Sequence, residues 1–99
     1  MNAIYVMRSD GSDVKKLTSG SAEDFEASWS PDGSQVLFAS NRTGHNELYL
    51  MDRDGGNLVR LTSTSKSSTM PSWSPDGRQI VFQTERDGNP EIYVMNQTM

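Results

Sequence analysis

Cysteine is absent from the 99 residues. Disulfide staples and thiolate metal sites are thereby excluded, and the redox compartment stays open. Positive charge is sparse: 9 Lys+Arg stand against 13 Asp+Glu, net −4. Lys15, Lys16 and Lys66 are scattered, whereas a nucleic-acid surface needs clustered positive charge. No apolar run approaches the roughly 20 residues of a membrane span, so membrane insertion is not expected. No charged-then-apolar leader opens the chain, so no signal peptide is expected either. Apolar residues make up only 33%, which is little for a chain that must bury a core unaided. Enzyme signatures are missing too: there is no Gly-x-Ser-x-Gly, phosphate loop, nucleotide fingerprint or paired histidine. A non-catalytic protein without a cofactor is expected.

What the chain does have is a repeat, the first thing to look for in an unfamiliar sequence. Ser28-Trp29-Ser30-Pro31-Asp32-Gly33 recurs as Ser72-Trp73-Ser74-Pro75-Asp76-Gly77, an offset of 44. Leu17-Thr18 with Leu61-Thr62, Arg42 with Arg86, and Gly44 with Gly88 follow the same offset. Ile4-Tyr5-Val6-Met7, Leu48-Tyr49-Leu50-Met51 and Ile92-Tyr93-Val94-Met95 form a third set. Residues 12–55 laid on 56–99 give 17 identities in 44 positions, far beyond chance. The chain therefore divides as a partial repeat over 1–18, a full unit over 19–62, and a second unit over 63–99 that lacks its last strand.

Each unit reads as all β, with no helical period long enough to compete. Strand A is expected over Phe25–Ser30 and Met70–Ser74. A Ser-Pro-Asp-Gly turn follows: Pro31 and Pro75 fix φ, Asp32 and Asp76 bond the backbone, and Gly33 and Gly77 take positive φ. Strand B is expected over Gln35–Ser40 and Gln79–Thr84, and strand C over Glu47–Asp52 and Glu91–Asn96. Strand D is expected over Val14–Thr18 and Leu58–Thr62, after Gly-containing turns. In Val36-Leu37-Phe38, Ile80-Val81-Phe82 and Leu48-Tyr49-Leu50-Met51 neighbouring residues are all apolar. Alternate residues of a strand point to opposite faces, so both faces of these sheets should be buried. Four-stranded antiparallel sheets buried on both faces, at a period in the forties, describe β-propeller blades, two per chain.

The motifs Trp-Ser-Pro-Asp-Gly, Arg-x-Gly-x-x-Glu-(Ile/Leu)-Tyr-x-Met, Asp-Gly-Gly and Leu-Thr resemble the TolB-type WD-like β-propeller repeat family. The resemblance covers essentially the whole chain. It implies a six-bladed propeller, a bacterial periplasmic setting and a protein-binding scaffold. Related repeats form the propellers of prolyl-oligopeptidase-like peptidases, so the propeller portion of a larger hydrolase or lyase is the alternative. An engineered repeat fragment with no ligand is a third reading.

Two blades cannot close a propeller, which typically needs 4 to 8. A cyclic homo-oligomer with head-to-tail contacts is therefore expected, a trimer first and a tetramer next. The N-terminal strand D of one copy is expected to complete the last blade of its neighbour. Three C strands for two blades make one redundant, and Asn2–Met7 is expected to be the displaced one.

Candidate binding residues lie in the D–A and B–C loops, which share one face of a propeller. Glu23, Asp24 and Glu26 form an acidic cluster; by ring symmetry they give either an acidic channel mouth for a cation or basic peptide, or a merely solvated loop. Arg42, His45, Lys66 and Arg86 belong to the same loops. With a single histidine and no cysteine, a zinc site within one chain is implausible. Asp52-x-Asp54-Gly55-Gly56-Asn57 resembles a calcium loop only in part, because its twelfth position is Ser63 rather than Glu. Trp29 and Trp73 are expected to pack blade on blade, with ligand stacking as the other role open to them. No metal, cofactor or catalytic residue is expected; the expected partners are further copies of the chain and a protein or peptide.

Overall fold

A computed structural model of the chain describes residues 3–19, 22–62, 67–84 and 91–96. Among the described residues there are strands and no helix. β1 (Tyr5–Val6) pairs with β2 (Lys15–Lys16). β3 (Asp24–Trp29), β4 (Gln35–Ser40), β5 (Glu47–Asp52) and β6 (Val59–Arg60) form one antiparallel sheet in that order. β7 (Ser68–Trp73), β8 (Gln79–Thr84) and β9 (Glu91–Asn96) form the next. The sheets are all-β and meander from strand to neighbouring strand, as short polar turns between apolar runs require.

The Ser-Pro-Asp-Gly turns are built twice in the same way. The Gly33 N–H donates to the Ser30 carbonyl and Gly77 to Ser74, each at 2.9 Å. Gly33 and Gly77 have φ of 75° and 74°, a region in which a Cβ is strained. The Ser30 hydroxyl donates to Asp32 Oδ1 at 2.7 Å and accepts the Gln35 N–H at 3.0 Å, so the turn is tied across its mouth.

The B and C strands run over the residues anticipated from their apolar and aromatic content. The A strands differ. They start at Asp24 and Ser68 and end at Trp29 and Trp73, ahead of the ranges expected. Pairing steps from Phe25↔Ala39 to Ser28↔Leu37, three residues against two, which is a β-bulge; Thr69 and Ser72 repeat it. The extra residue breaks the alternation from which a strand is read, and the polar residues before it still pair.

The D strands are also shorter than expected. β6 keeps two ladder residues because the Leu48 N–H turns away from the backbone to the Thr62 hydroxyl, at 3.0 Å. Leu61 N–H still reaches the Leu48 carbonyl at 2.8 Å. Leu17, Thr18 and Ile4 reproduce both bonds at 2.8 and 3.0 Å.

Two apolar layers flank the central sheet. Leu37, Ala39, Leu48 and Leu50 pack on Ile80 and Phe82 of the following sheet, with Trp73, Tyr93 and Met95 at the margin. On the other face Val36, Phe38, Tyr49 and Met51 pack on Ile4, with Leu17 beside them. Both faces of the central sheet are thus buried. The third sheet is buried on one face only: Val81 is 36% exposed, Ile92 66% and Val94 56%. The continuous apolar run at 80–82 anticipates cover on both sides, and within the chain nothing described lies against the outer side.

Candidate functional site

Among the described residues, the B–C loop of the central sheet lies against the start of β3, where the Asn41 N–H donates to the Glu23 carbonyl at 3.1 Å. Asn46, in the B–C loop of the central sheet, accepts the Ser68 N–H at 2.7 Å on its carbonyl, at the start of β7. This contact brings the B–C loop of one sheet beside the start of the A strand of the next.

The acidic residues differ in their surroundings: Asp24 is buried, Glu23 half-buried and Glu26 exposed. Asp24 is 2% exposed, and its Oδ1 accepts from Arg42 Nη2 at 3.0 Å. Arg42 Nε donates to the Ser40 hydroxyl at 3.0 Å. Its guanidinium lies over the rings of Phe38 and Tyr49, 5.5 and 4.8 Å from their centroids. A planar cation with a fork of donors suits such a place, stacked on one side and hydrogen-bonded on the other. The Glu23 backbone N–H donates to Asn41 Oδ1 at 2.9 Å.

Glu26 sits at the bulge with φ of 56°. Its carboxylate accepts the backbone N–H of Met70 at 2.6 Å. Met70 is the equivalent bulge residue of the next unit, with φ of 54°. Two of the three carboxylates thus have partners of different kinds: that of Asp24 an ion pair, that of Glu26 a bond across sheets.

His45 Nε2 stands 3.2 Å from Glu47 Oε2. Glu47 is almost fully buried, and its other oxygen accepts the Thr62 hydroxyl at 2.6 Å. Thr62 in turn accepts the Leu48 N–H, so one hydroxyl joins strand D to both the backbone and the carboxylate of strand C. Sequence reasoning passed over Glu47 and Thr62 as site residues. The available signal was an acidic residue opening an apolar strand and recurring at Glu91. Lys66 and Arg86 lie outside the described residues.

Trp73 Nε1 donates to the Ser28 carbonyl of the preceding sheet at 3.4 Å, and its ring borders the first apolar layer. Trp29 is its equivalent, yet it is 46% exposed and lines an open groove with Tyr5, Met7 and Ala27. The turn aspartates serve their turns. Asp32 is held down to about 2 by the hydrogen bonds of the Ser30 and Ser34 hydroxyls and the Ser34 N–H. Asp76 is lowered by the Ser74 hydroxyl and then by the Arg78 N–H. In the Gly-rich turn Asp52 Oδ2 accepts Asn57 Nδ2 at 2.6 Å, and Asp54 Oδ1 accepts the Gly56 N–H at 2.9 Å. Among the described residues no three His, Asp or Glu side chains gather as metal ligands, and no helix is long and apolar enough to cross a membrane.

Two overlapping matches to the TolB beta propeller domain span residues 1–67 and 29–99. The chain belongs to the TolB beta propeller domain family. A structure assigned as TolB from Agrobacterium tumefaciens superposes with a TM-score of 0.86 at 26% identity, over 96% of this chain and 37% of that one. TolB from Acinetobacter baumannii gives 0.77 at 28% identity, over 95% of this chain and 24% of that one. The chain thus spans roughly a third to a quarter of the TolB chains it matches. The tricorn protease gives 0.70 at 22% identity, over 93% of this chain and 8% of that one, a likeness of fold. No curated protein matches significantly. The tricorn likeness shows that a similar fold also occurs within a protease.

Proposed function

We propose that the chain is a non-catalytic scaffold module that assembles head to tail with copies of itself into a closed propeller. Three copies, giving six blades, is the reading favoured here. One observation carries it. Leu48 and Leu50 are 0% and 4% exposed because the next sheet covers them, while their equivalents Ile92 and Val94 are 66% and 56% exposed. An apolar face built to the same pattern calls for the same cover, and contiguous exposed apolar patches mark interaction surfaces. The opposite end of the chain offers the matching surface, the half-open groove at Trp29. Heterologous contacts of this kind close into rings when the rotation permits.

The loop edge is read as joinery more than as a ligand site, because Asp24, Glu26 and Glu47 already hold partners within the chain. A protein or peptide partner is proposed to meet this edge only after the ring has formed. Light scattering on the 99-residue chain tests the assembly. A mass of three chains supports it, and a folded monomer removes it.

A further inference from the structure

We propose that, in the assembled protein, β9 of one copy takes the place of β1 in the next and pairs with β2 of that second copy. The new strand pair is locked by Thr18 of the second copy bonding to Glu91. This rests on the self-assembly reading and deepens it.

The central sheet supplies the template. Strands C and D are joined there by three bonds: Leu61 N–H to the Leu48 carbonyl, Leu48 N–H to the Thr62 hydroxyl, and that hydroxyl to the Glu47 carboxylate. The N-terminal pair has the first two, through Leu17, Ile4 and Thr18. It lacks the third, because Ala3 occupies the position of Glu47. The C-terminal sheet has the opposite deficiency. Glu91 occupies the position of Glu47 and is exposed, and no strand is described beyond β9. Joining β9 to β2 brings the carboxylate and the hydroxyl together and completes the set. A hydrogen bond to a charged acceptor is stronger than one between neutral groups.

The side chains around the strand agree. Ile4 and Val6 occupy the positions of Leu48 and Leu50, and so do Ile92 and Val94. β9 therefore presents the same apolar pattern to the layer of Val36 and Phe38. Unlike β1, it arrives with β8 and β7 attached. β7 carries the Ser72 carbonyl, which is to Trp29 what the Ser28 carbonyl is to Trp73. Trp29 is exposed where only the two strands β1 and β2 stand in front of it. The occupant is thus a second copy, chosen by complementarity at the carboxylate, the apolar stripe and the indole together.

The register follows. Tyr49↔Arg60 in the central sheet and Tyr5↔Lys16 at the N-terminus are equivalent pairs, so Tyr93 should face Lys16 of the second copy. The cysteine-free chain makes this directly testable, since paired strands bring Cα atoms within disulfide range. Lys16→Cys with Tyr93→Cys should oxidise to covalently linked multi-chain species. Tyr5→Cys with Lys16→Cys, both exposed positions, should remain unlinked in the assembled protein. A closed loop within one chain in this second variant overturns the strand replacement, and if native mass still shows a ring, the assembly reading survives. A wild-type monomer overturns both. Ile4→Glu should leave the assembled mass unchanged, and loss of assembly in that variant counts against displacement of β1. Thr18→Val should weaken association about tenfold, and by clearly less in a Glu91→Ala background, where only the bond from the Ile92 N–H is left to lose. Independent losses would remove the proposed pair.

Discussion

The carboxylate of Glu26 accepts the backbone N–H of Met70, its own equivalent 44 residues on, at 2.6 Å. Both residues occupy the bulge of an A strand with left-handed φ, 56° and 54°. A non-glycine residue there is strained by about 1–2 kcal/mol, which must be held by the bulge and by this bond. Each unit is thus pinned to the next at the point where its strand departs from regular pairing.

Substitution at Met70 should show this strain. Met70→Gly relieves it against a backbone-entropy cost of about 0.5–1 kcal/mol, so stability should hold or rise slightly. Met70→Val, β-branched, should destabilise by about 1–2 kcal/mol. Urea unfolding of the two variants checks the sign, and equal losses in both would contradict the account.

The two tryptophans should differ before assembly and converge after it. Trp73 packs on the first apolar layer, so Trp73→Ala should cost about 3 kcal/mol or more. Trp29 is half-exposed in one chain, so Trp29→Ala should cost much less under conditions that keep chains apart. In the assembled protein both should be severe. Denaturation at low and high chain concentration separates these regimes.

The pair of Asp24 and Arg42 is a local solution with a visible alternative. At the position of Asp24 in the next unit Ser68 donates its hydroxyl hydrogen bond to Thr84, the equivalent of Ser40, at 3.3 Å. Asp24→Ala should cost about 2 kcal/mol, because Arg42 loses its carboxylate above the rings of Phe38 and Tyr49 while keeping some water. Asp24→Ser with Ser40→Thr should recover part of the loss. Thermal melting of the three proteins gives the comparison.

Acid should weaken the turns in a defined window. The Asp32 carboxyl is depressed to about 2 by the Ser30 and Ser34 hydrogen bonds, against about 3.9 in an unfolded chain. A depressed carboxyl contributes stability above the unfolded value, and that contribution is lost as pH falls through the folded value. Asp10 and Asp76 shift the same way through Ser12 and Ser74. Stability should therefore fall between about pH 4 and pH 2, and Asp32→Asn should flatten part of that fall. A curve with the same slope in the variant would exclude Asp32 as a contributor.

Much of this fold is visible in the residues. Gln35–Ser40 and Glu47–Asp52 are runs whose apolar content has no polar face, which selects a sheet covered twice. Ser-Pro-Asp-Gly carries its own turn chemistry. The A strands were misplaced because a bulge hides in a single extra residue, and neither Glu26 nor Met70 is a residue type that announces positive φ. Strand D was overextended because Thr62 satisfies Leu48 with its side chain, which no pattern of apolar spacing reveals. The acidic cluster looked like one feature because Glu23, Asp24 and Glu26 are close in sequence. In space the side chains of Asp24 and Glu26 go to different partners, Arg42 and the Met70 N–H.

The most direct test of self-completion is the native mass of the 99-residue chain in dilute solution. An assembly of three 11.0 kDa chains, six blades in all, is the predicted result. A folded, cooperative 11.0 kDa monomer with Ile92 and Val94 left in water contradicts it.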